Sequence, residues 1–348
     1  MTAVLCLLNP HAQGGRLRHR APALAQAVAQ RAPAARWAAP ETLDEALSLL
    51  RSLPPGSRVL AFGGDGTVNR WLPALLERGH TLGLVPMGSG NDLARALGVF
   101  GLPWTEALEC ALTSAAVPMD VGLVEVPAGE GSAGVEDPGT AHHPRAEPFR
   151  AAIREPFLSS LAVGFDASVG LRALRGPRWL RGQPRYLWAT LQELVHLHSW
   201  GLHIACDGGA PGGEGERLGS SSSGQGGAAG TWQGRVLLAS TLNTRSYGSG
   251  MPAAPDARID DGQLELLRAQ AMGRAGVLTL LPRLLRGTHL ADPRVSLKPF
   301  QSLQVQAEEP VPLAVDGEFL GEFSRFAVRV LPGGLSVVKA TNPPNFGK

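Results

Sequence analysis

Lysine is almost missing from this chain of 348 residues: it stands only at Lys298, Lys339 and Lys348, and arginine supplies nearly all of the positive charge. A P-loop needs G-x-x-x-x-G-K-[ST], with its lysine reaching the terminal phosphates, so that route to nucleotide binding is excluded. Cysteine is scarce as well. Cys6, Cys110 and Cys206 are odd in number and widely spaced, without CxxC or metal-ligand spacing, which excludes a disulfide framework and points to a reduced, cytoplasmic setting. No apolar run approaches the roughly 20 residues of a spanning helix; the longest, near Val277–Leu285, is broken by Pro282 and Arg283. The first residues carry no basic leader, and Ala3–Leu8 is shorter than a signal-peptide core. A net charge of +2 is too small to argue for a nucleic-acid partner. Histidine offers no metal site either: His196 and His198, two apart in a helical stretch, do not share a face.

Two glycine-rich turns are what the chain does have. Val59–Phe62 reads as a buried strand and Val68, Leu72, Leu75 and Leu76 recur at helical spacing, so Gly63, Gly64 and Gly66 fall in the turn between them. Leu82–Val85, then Gly88, Ser89 and Gly90, then a helix from Asn91 to Leu97 repeat the unit, with Asp92 favoured at the helix start. A third unit opens the chain: Ala3–Leu8 as strand, the turn Asn9-Pro10-His11-Ala12-Gln13-Gly14-Gly15, and a helix over Leu17–Gln30 around Pro22. Three strand ends then converge on one crevice, where open α/β sheets bind ligands, and glycine lets phosphate approach the backbone N–H groups. Without a P-loop lysine, Arg16 or backbone donors must serve. Asp65 repels bare phosphate; its natural partner is Mg²⁺ or a hydroxyl, and both fit a metal–nucleotide complex.

After about Met119 the texture changes. Leu158–Val163, Val236–Leu242, Leu264–Leu267, Leu303–Val305 and Phe326–Val330 are short β-prone runs between turn residues, interrupted by helical stretches at Tyr186–Leu197 and Ala275–Leu285. The expected architecture is a three-layer α/β nucleotide-binding domain with an open, mostly parallel sheet over 1–120. A mainly antiparallel, β-sandwich-like acceptor domain follows over 121–335, and a C-terminal segment, 336–348, packs back on the first domain. The stretches 127–149 and 207–230 are rich in Gly, Ser, Ala, Pro and charge, and read as loose inserts. Asp316-Gly317 lies between the β-prone runs Val311–Val315 and Phe319–Phe323, the commonest short hairpin signal. Asp256, Asp260 and Asp261 form the densest acidic cluster of the second domain.

Gly63-Gly64-Asp65-Gly66-Thr67 with Asn69, followed by Pro86-x-Gly88-Ser89-Gly90-Asn91-Asp92-Leu93-Ala94-Arg95, resembles the diacylglycerol kinase catalytic family, which includes bacterial lipid kinases and sphingosine and ceramide kinases. The resemblance extends through Asn9-Pro10 with Gly14, Gly164-Phe165-Asp166-Ala167, Asn243-x-x-x-Tyr247-Gly248-x-Gly250-Met251, Pro255-Asp256-Ala257-x-x-x-Asp261-Gly262 and Asp316-Gly317-Glu318. It implies an ATP-dependent lipid kinase that moves the γ-phosphate of Mg-ATP to a lipid hydroxyl, with diacylglycerol the leading acceptor. Asn9, Pro10, Gly14, Arg16, Gly63, Gly64, Gly66, Thr67, Asn69, Gly88, Ser89, Gly90, Asn91 and Asp92 would hold the nucleotide. Asp65 would meet its Mg²⁺, and Asp316 would be the general base, a role some branches give to the Asp65 position. Asp256 and Asp261 would surround a structural Mg²⁺ near the domain junction, Asp261 matching best.

A lipid acceptor calls for contact with a membrane surface. Arg172, Arg175, Arg178, Arg181 and Arg185 occur without an acid among them, interleaved with Leu174, Trp179, Leu180, Tyr186 and Trp188, a pattern that suits anionic headgroups or a solvated arginine-rich loop equally. The expectation is a cytoplasmic protein peripheral at the inner membrane surface, with a homodimer left open. Two departures stand out: Arg70 replaces an acid common after Thr-x-Asn in this family, and Ser89 replaces a threonine. Two rivals remain: an NAD-kinase-like enzyme, which shares the Gly-Gly-Asp-Gly-Thr turn, and a catalytically silent nucleotide- or lipid-binding regulator.

Overall fold

The computed structural model describes residues 3–12, 14–88, 90–129, 151–176, 183–207 and 230–340. Ser89, Pro177–Gly182 with Arg178, Trp179, Leu180 and Arg181, almost all of both inserts, and 341–348 lie outside the described residues. The elements run β1 (Val4–Leu8), α1 (Arg16–Arg31), β2 (Arg36–Ala38), α2 (Leu43–Ser52), β3 (Arg58–Gly63), α3 (Asp65–Glu77), β4 (Thr81–Pro86), α4 (Asp92–Ala96), α5 (Trp104–Thr113) and β5 (Ala116–Pro127). They continue with β6 (Ala151–Phe157), β7 (Ser160–Val163), α6 (Phe165–Arg175), α7 (Gln183–Glu193), β8 (Trp200–Asp207), β9 (Thr231–Leu242), β10 (Leu264–Gln270), α8 (Arg274–Leu285), β11 (Val295–Phe300), β12 (Ser302–Val315) and β13 (Glu318–Val338).

The first half is a parallel sheet in the order β2-β1-β3-β4. Its strands are apolar on both faces, and alternation sends the two sets into different cores. Leu5, Leu7, Val59 and Ala61 pack with α2, α3 and α4, while Cys6, Leu8, Leu60 and Phe62 pack with α1 and α5. That division makes three layers. Chain order reverses between β1 and β3, so the crevice beyond their carboxyl ends is the topological switch point.

The second half is antiparallel and helix-decorated. β9 and β12 flank β7 at one end and β8 at the other, with β10 and β11 beyond β9 and β13 beyond β12. Its apolar residues form one core that includes Val169 of α6, Ala189 of α7 and Val277 and Leu280 of α8. The two halves share strands. β13 pairs with β12, then continues until Ser336 and Val337 lie parallel to Thr81 and Leu82 of β4, and β5 runs antiparallel beside it from Ala116↔Val338 to Glu125↔Ala327.

Where that ladder is interrupted, between Leu331 and Leu335, Asp120 closes the gap. Its carboxylate accepts from Gly333 N at 2.8 Å and Gly262 N at 2.7 Å, and its own N–H donates to Ile259 O at 2.6 Å. Farther along β5, Gly122 faces Phe157 of β6, whose fully buried ring lies over the glycine; a Cβ there would sit 2.0 Å from ring Cζ. Gly122→Ala must displace that ring, and is expected to cost about 1–3 kcal/mol, read as a lower midpoint in thermal or urea unfolding.

Candidate active site

The three turns meet as the sequence implies. Asn9 N donates to Phe62 O at 3.2 Å and Met87 N to Gly63 O at 2.7 Å, while Asn9 Nδ2 donates to Thr67 Oγ1 at 2.9 Å across the switch point. The two glycine turns are in backbone contact: a Cβ on Gly88 would lie 2.5 Å from Gly64 Cα, and one on Gly64 would lie 2.7 Å from Gly88 Cα. No other residue type fits either position. The helix after the first turn starts earlier than its apolar spacing suggests, so Gly66 lies inside the first turn of α3. Gly64 is its N-cap and no side chain caps it, which leaves α3 with free N–H donors at the cradle. Pro10 is buried behind the first turn, Gly14 has φ 69°, and Arg16 stands exposed as the first residue of α1.

Three residues expected to touch nucleotide have other partners. Asn91 Oδ1 accepts from Gly88 N at 3.1 Å and its Nδ2 donates to Gly88 O at 2.9 Å, so it locks the second turn. Asn69 Nδ2 donates to Asp316 Oδ2 at 3.2 Å. Asp92, buried, accepts from Ser246 Oγ at 2.9 Å, Ser249 N at 2.8 Å and Gly250 N at 2.8 Å, a clasp between the first half and the loop after β9. The N-terminus of α4, read from sequence as a second phosphate cradle, is also filled: Asp92 N and Leu93 N donate to Asp65 Oδ2 and Oδ1 at 3.0 and 3.1 Å.

The two aspartates assigned chemistry differ in what they have left to give. Asp316 takes the first position of a tight turn with φ 47° and 90° at Asp316 and Gly317, the I′ pattern of an Asp-Gly hairpin. Its carboxylate accepts from Leu158 N, Ser159 N and Ser160 N at 2.8–2.9 Å as well as from Asn69, so four donors use its four lone-pair sites. Burial pushes its pKa up against the pull of those donors. Asp65 accepts only two N–H bonds and keeps one lone pair free on each oxygen. Burial, then the neighbouring Asp92 charge, lift it to about 6. Arg70 donates to Glu318 Oε1 at 3.2 Å, an exposed pair beside Gly66.

A cavity of about 150 Å³ runs from these carboxylates into the second half. Its polar end holds Asp65, Asp316, Asp166 and both tyrosines of the chain, Tyr186 and Tyr247. Val169, Leu237, Leu238, Val277, Leu280 and Leu284 make the remainder an apolar slot between α6, α8 and β9. Asp166 is the site residue to which sequence reading gave no role, although its Gly-Phe-Asp-Ala motif was visible. It accepts from Ser240 Oγ at 2.5 Å, and burial raises it to about 6. Burial likewise raises Tyr186 to about 12, and Tyr247, hydrogen-bonded to Asp166, well above its ordinary value.

The acidic cluster does not join this site. Asp256, Asp260 and Asp261 are exposed; Asp261 Oδ1 accepts from Gln263 N at 3.1 Å in its own turn, and Asp260 pairs with Arg258. Among the described residues no three acidic, histidine or cysteine side chains converge as a metal cage. Asp256 and Asp261 thus stand at the surface, while the buried acid that organises this loop is Asp120, already bound by two N–H donors. Adjacent acids in sequence signal charge density, and only packing decides which carboxylate points inward.

Comparison with known proteins follows the same two halves. Residues 3–124 match the family described as diacylglycerol kinase catalytic domain, and residues 159–339 match the YegS C-terminal NAD kinase beta sandwich-like domain. A diacylglycerol kinase of Mycobacterium tuberculosis (strain ATCC 25618 / H37Rv) is 28% identical over 284 residues, spanning 81% of this chain and 76% of the relative. One from Bacillus subtilis (strain 168) is 25% identical, spanning 76% and 71%. A crystal structure of a diacylglycerol kinase from Bacillus anthracis str. Sterne superposes with a TM-score of 0.66 over 97% of each chain at 18% identity, a likeness of fold.

Asp92→Ala strands three donors of the clasp. The expected loss is about 2–4 kcal/mol, measured by denaturant unfolding, with faster proteolytic cleavage in the loop around Ser249.

Proposed function

This chain belongs to the diacylglycerol kinase catalytic domain family of lipid kinases, and on that premise we propose that it transfers the γ-phosphate of Mg-ATP to the free hydroxyl of diacylglycerol, giving phosphatidic acid. The observation that carries the reading is the continuity of one cavity, from carboxylates beside the glycine turns into an apolar slot. An acceptor with a polar end and acyl chains suits that shape; the nicotinamide nucleotide of an NAD-kinase-like reaction does not.

Phosphate oxygens would lie on the uncapped first turn of α3 and the backbone of Gly64, Gly66 and Gly90, over the turn that Asn91 locks at Gly88. The residues present suit a cation carried in by the nucleotide. Mg²⁺ commonly uses one or two carboxylates plus substrate phosphates and keeps its waters, and Asp65, with a free lone pair on each oxygen, meets that need without a protein cage. The acceptor hydroxyl oxygen forms the new bond to phosphorus as the bridging oxygen leaves with ADP, and the hydroxyl proton must go to a base.

We assign that base to Asp65 in preference to Asp316. A carboxylate whose four lone pairs already accept N–H donors has no place for a hydroxyl proton, whereas Asp65 keeps a lone pair on each oxygen, so one oxygen can face the cation while the other faces the hydroxyl. Asp316 then holds the β6–β7 corner, the hairpin turn and α3 together, which positions the acceptor end of the cavity. The reaction takes place at a membrane surface, where such lipids reside.

With γ-labelled ATP, Mg²⁺ and a lipid panel in mixed micelles, label is expected in diacylglycerol. Asp65→Asn should lower kcat by about 10²–10⁴ with a smaller loss of stability than Asp316→Asn, since it sets an amide N–H against one donor of α4 where Asp316→Asn disturbs a four-donor cluster. The reverse pattern returns the base to Asp316. Label in another lipid would reassign the acceptor. Folded, ATP-binding protein that labels no lipid would overturn the acceptor proposal.

The pH profile follows from the raised carboxyl. Asp65 holds its proton up to about pH 6, so the ionised fraction falls as pH drops through that value. Nucleotide kcat/KM is expected to be level above this limb and to decline tenfold per pH unit below it. Asp166, raised to the same value, titrates in the same window. The limb should therefore persist in Asp166→Asn; its disappearance there would assign it to Asp166.

A further inference from the structure

Nine large apolar side chains are exposed among the described residues, and six of them crowd the rim of one opening. Leu187, Leu191 and Val195 recur at i, i+4 and i+8 along α7 and the turn after it, forming one stripe. Leu278 and Leu285, i and i+7 on α8, form a second, and Trp188 stands beside the first. These six are 41–64% exposed. Their neighbours on the same helices are cavity residues: Tyr186 and Thr190 on α7, Val277, Leu281 and Leu284 on α8. Exposed apolar residues therefore continue the lining of the slot outward over both helices, with Gln192, Thr279 and Arg283 exposed among them. A soluble helix should present polar residues there.

The two helices are joined at one end. Arg274, the first residue of α8, donates through Nε to Leu194 O at 2.8 Å and through Nη2 to Val195 O at 3.0 Å. Charge on the rim helices is mainly of one sign, with the exposed Glu322 of β13 beside Trp188 and Arg175. Across α6, α7 and α8 the acids are Asp166, turned into the cavity, and Glu193, held by Arg172 at 2.6 Å. Among the described residues Arg175, Arg274 and Arg286 are exposed and make no ion pair, and Arg283 pairs with the buried Asp292.

We propose that the α7–α8 rim is a membrane-docking face: the two leucine stripes enter the acyl layer of an anionic bilayer while the arginines meet its phosphate groups, so that a lipid passes from the bilayer into the slot without crossing water. Apolar stripes flanked by arginine are the composition of an interfacial anchor, and each arginine near an anionic surface raises partitioning about fivefold. An exposed pair of helices that are apolar at the rim and free of exposed acid also fits such a surface better than it fits a second copy of itself, which would set arginine against arginine. The proposal rests on the lipid-kinase reading above for its occupant, and on the rim itself for its position.

The test uses the full chain with vesicles of phosphatidylcholine alone or with about one third phosphatidylglycerol, an anionic lipid that gives the surface a negative potential. Wild type is expected to co-sediment with the anionic vesicles, with a blue shift in tryptophan emission that Trp188→Phe diminishes. The variant Leu187→Ser/Leu191→Ser/Leu278→Ser/Leu285→Ser should bind at least about tenfold more weakly. It should lose vesicle-borne diacylglycerol turnover in proportion and keep turnover of water-soluble dibutyrylglycerol within about twofold, because none of the four lines the cavity. Arg175→Glu/Arg286→Glu should weaken binding to anionic vesicles only. Unchanged vesicle binding in the serine variant overturns the proposal, as does light scattering that shows a dimer split by those serines. Vesicle binding lost in the serine variant, with no transfer to either form of diacylglycerol in wild type, supports the face and counts against the acceptor.

Discussion

The pairing of β5 with β13 is the constraint on which this molecule turns. One antiparallel ladder, interrupted between Leu331 and Leu335 where Asp120 bridges the gap, begins beside β4 of the parallel sheet and ends beside β12 of the antiparallel one, so rotating either half strains main-chain hydrogen bonds in both. Such bonds are individually modest, but a buried N–H or C=O left unpaired costs far more than a pair gains. The cleft between the halves is thus a fixed width before any side chain contributes to it. Ladder and bulge together place Asp120 at the crossover, where it holds the loop around Gly262 against the strand.

Buried aspartates then finish what the ladder starts. Asp92 and Asp316 each take N–H groups from the opposite half or from a chain corner, and Asp65 takes two from α4. Putting three carboxylates in a half-dry cleft is costly, which is why burial raises all three pKa values. The cost is tolerable where enough donors converge. Asp65 has the fewest of the three and keeps a lone pair free on each oxygen. That difference in donor count is one that three aspartates in glycine-rich motifs do not display in one dimension.

Arg70 illustrates how a departure from a family pattern is absorbed. The charge reversal is met by Glu318 across the halves, in an exposed pair worth little by itself. Its neighbour Asn69 reaches Asp316 from the same turn of α3, so two consecutive residues tie that helix to both sides of the hairpin turn.

Local patterns determined a good deal from sequence alone. Apolar runs capped by glycine gave β1, β3 and β4 and the helices after them, because a strand buried on both faces must be apolar throughout and a tight exit needs positive φ or a missing Cβ. The Asp-Gly pair defined the last hairpin, and the lack of a lysine after any glycine turn ruled out a P-loop, since each depends on residues close in the chain. Only the tertiary structure decided which carboxylates face the cavity. Asp256 and Asp261 turned outward and Asp120 inward; Asp92 became a clasp and the N-terminus of α4 was filled by Asp65. It also decided that the slot would be walled by α6, α8 and β9, and that leucines read as ordinary helix residues would lie bare at its mouth. Those outcomes hinge on which distant segments meet, and a one-dimensional pattern records a residue's own periodicity and says nothing of what is packed across from it.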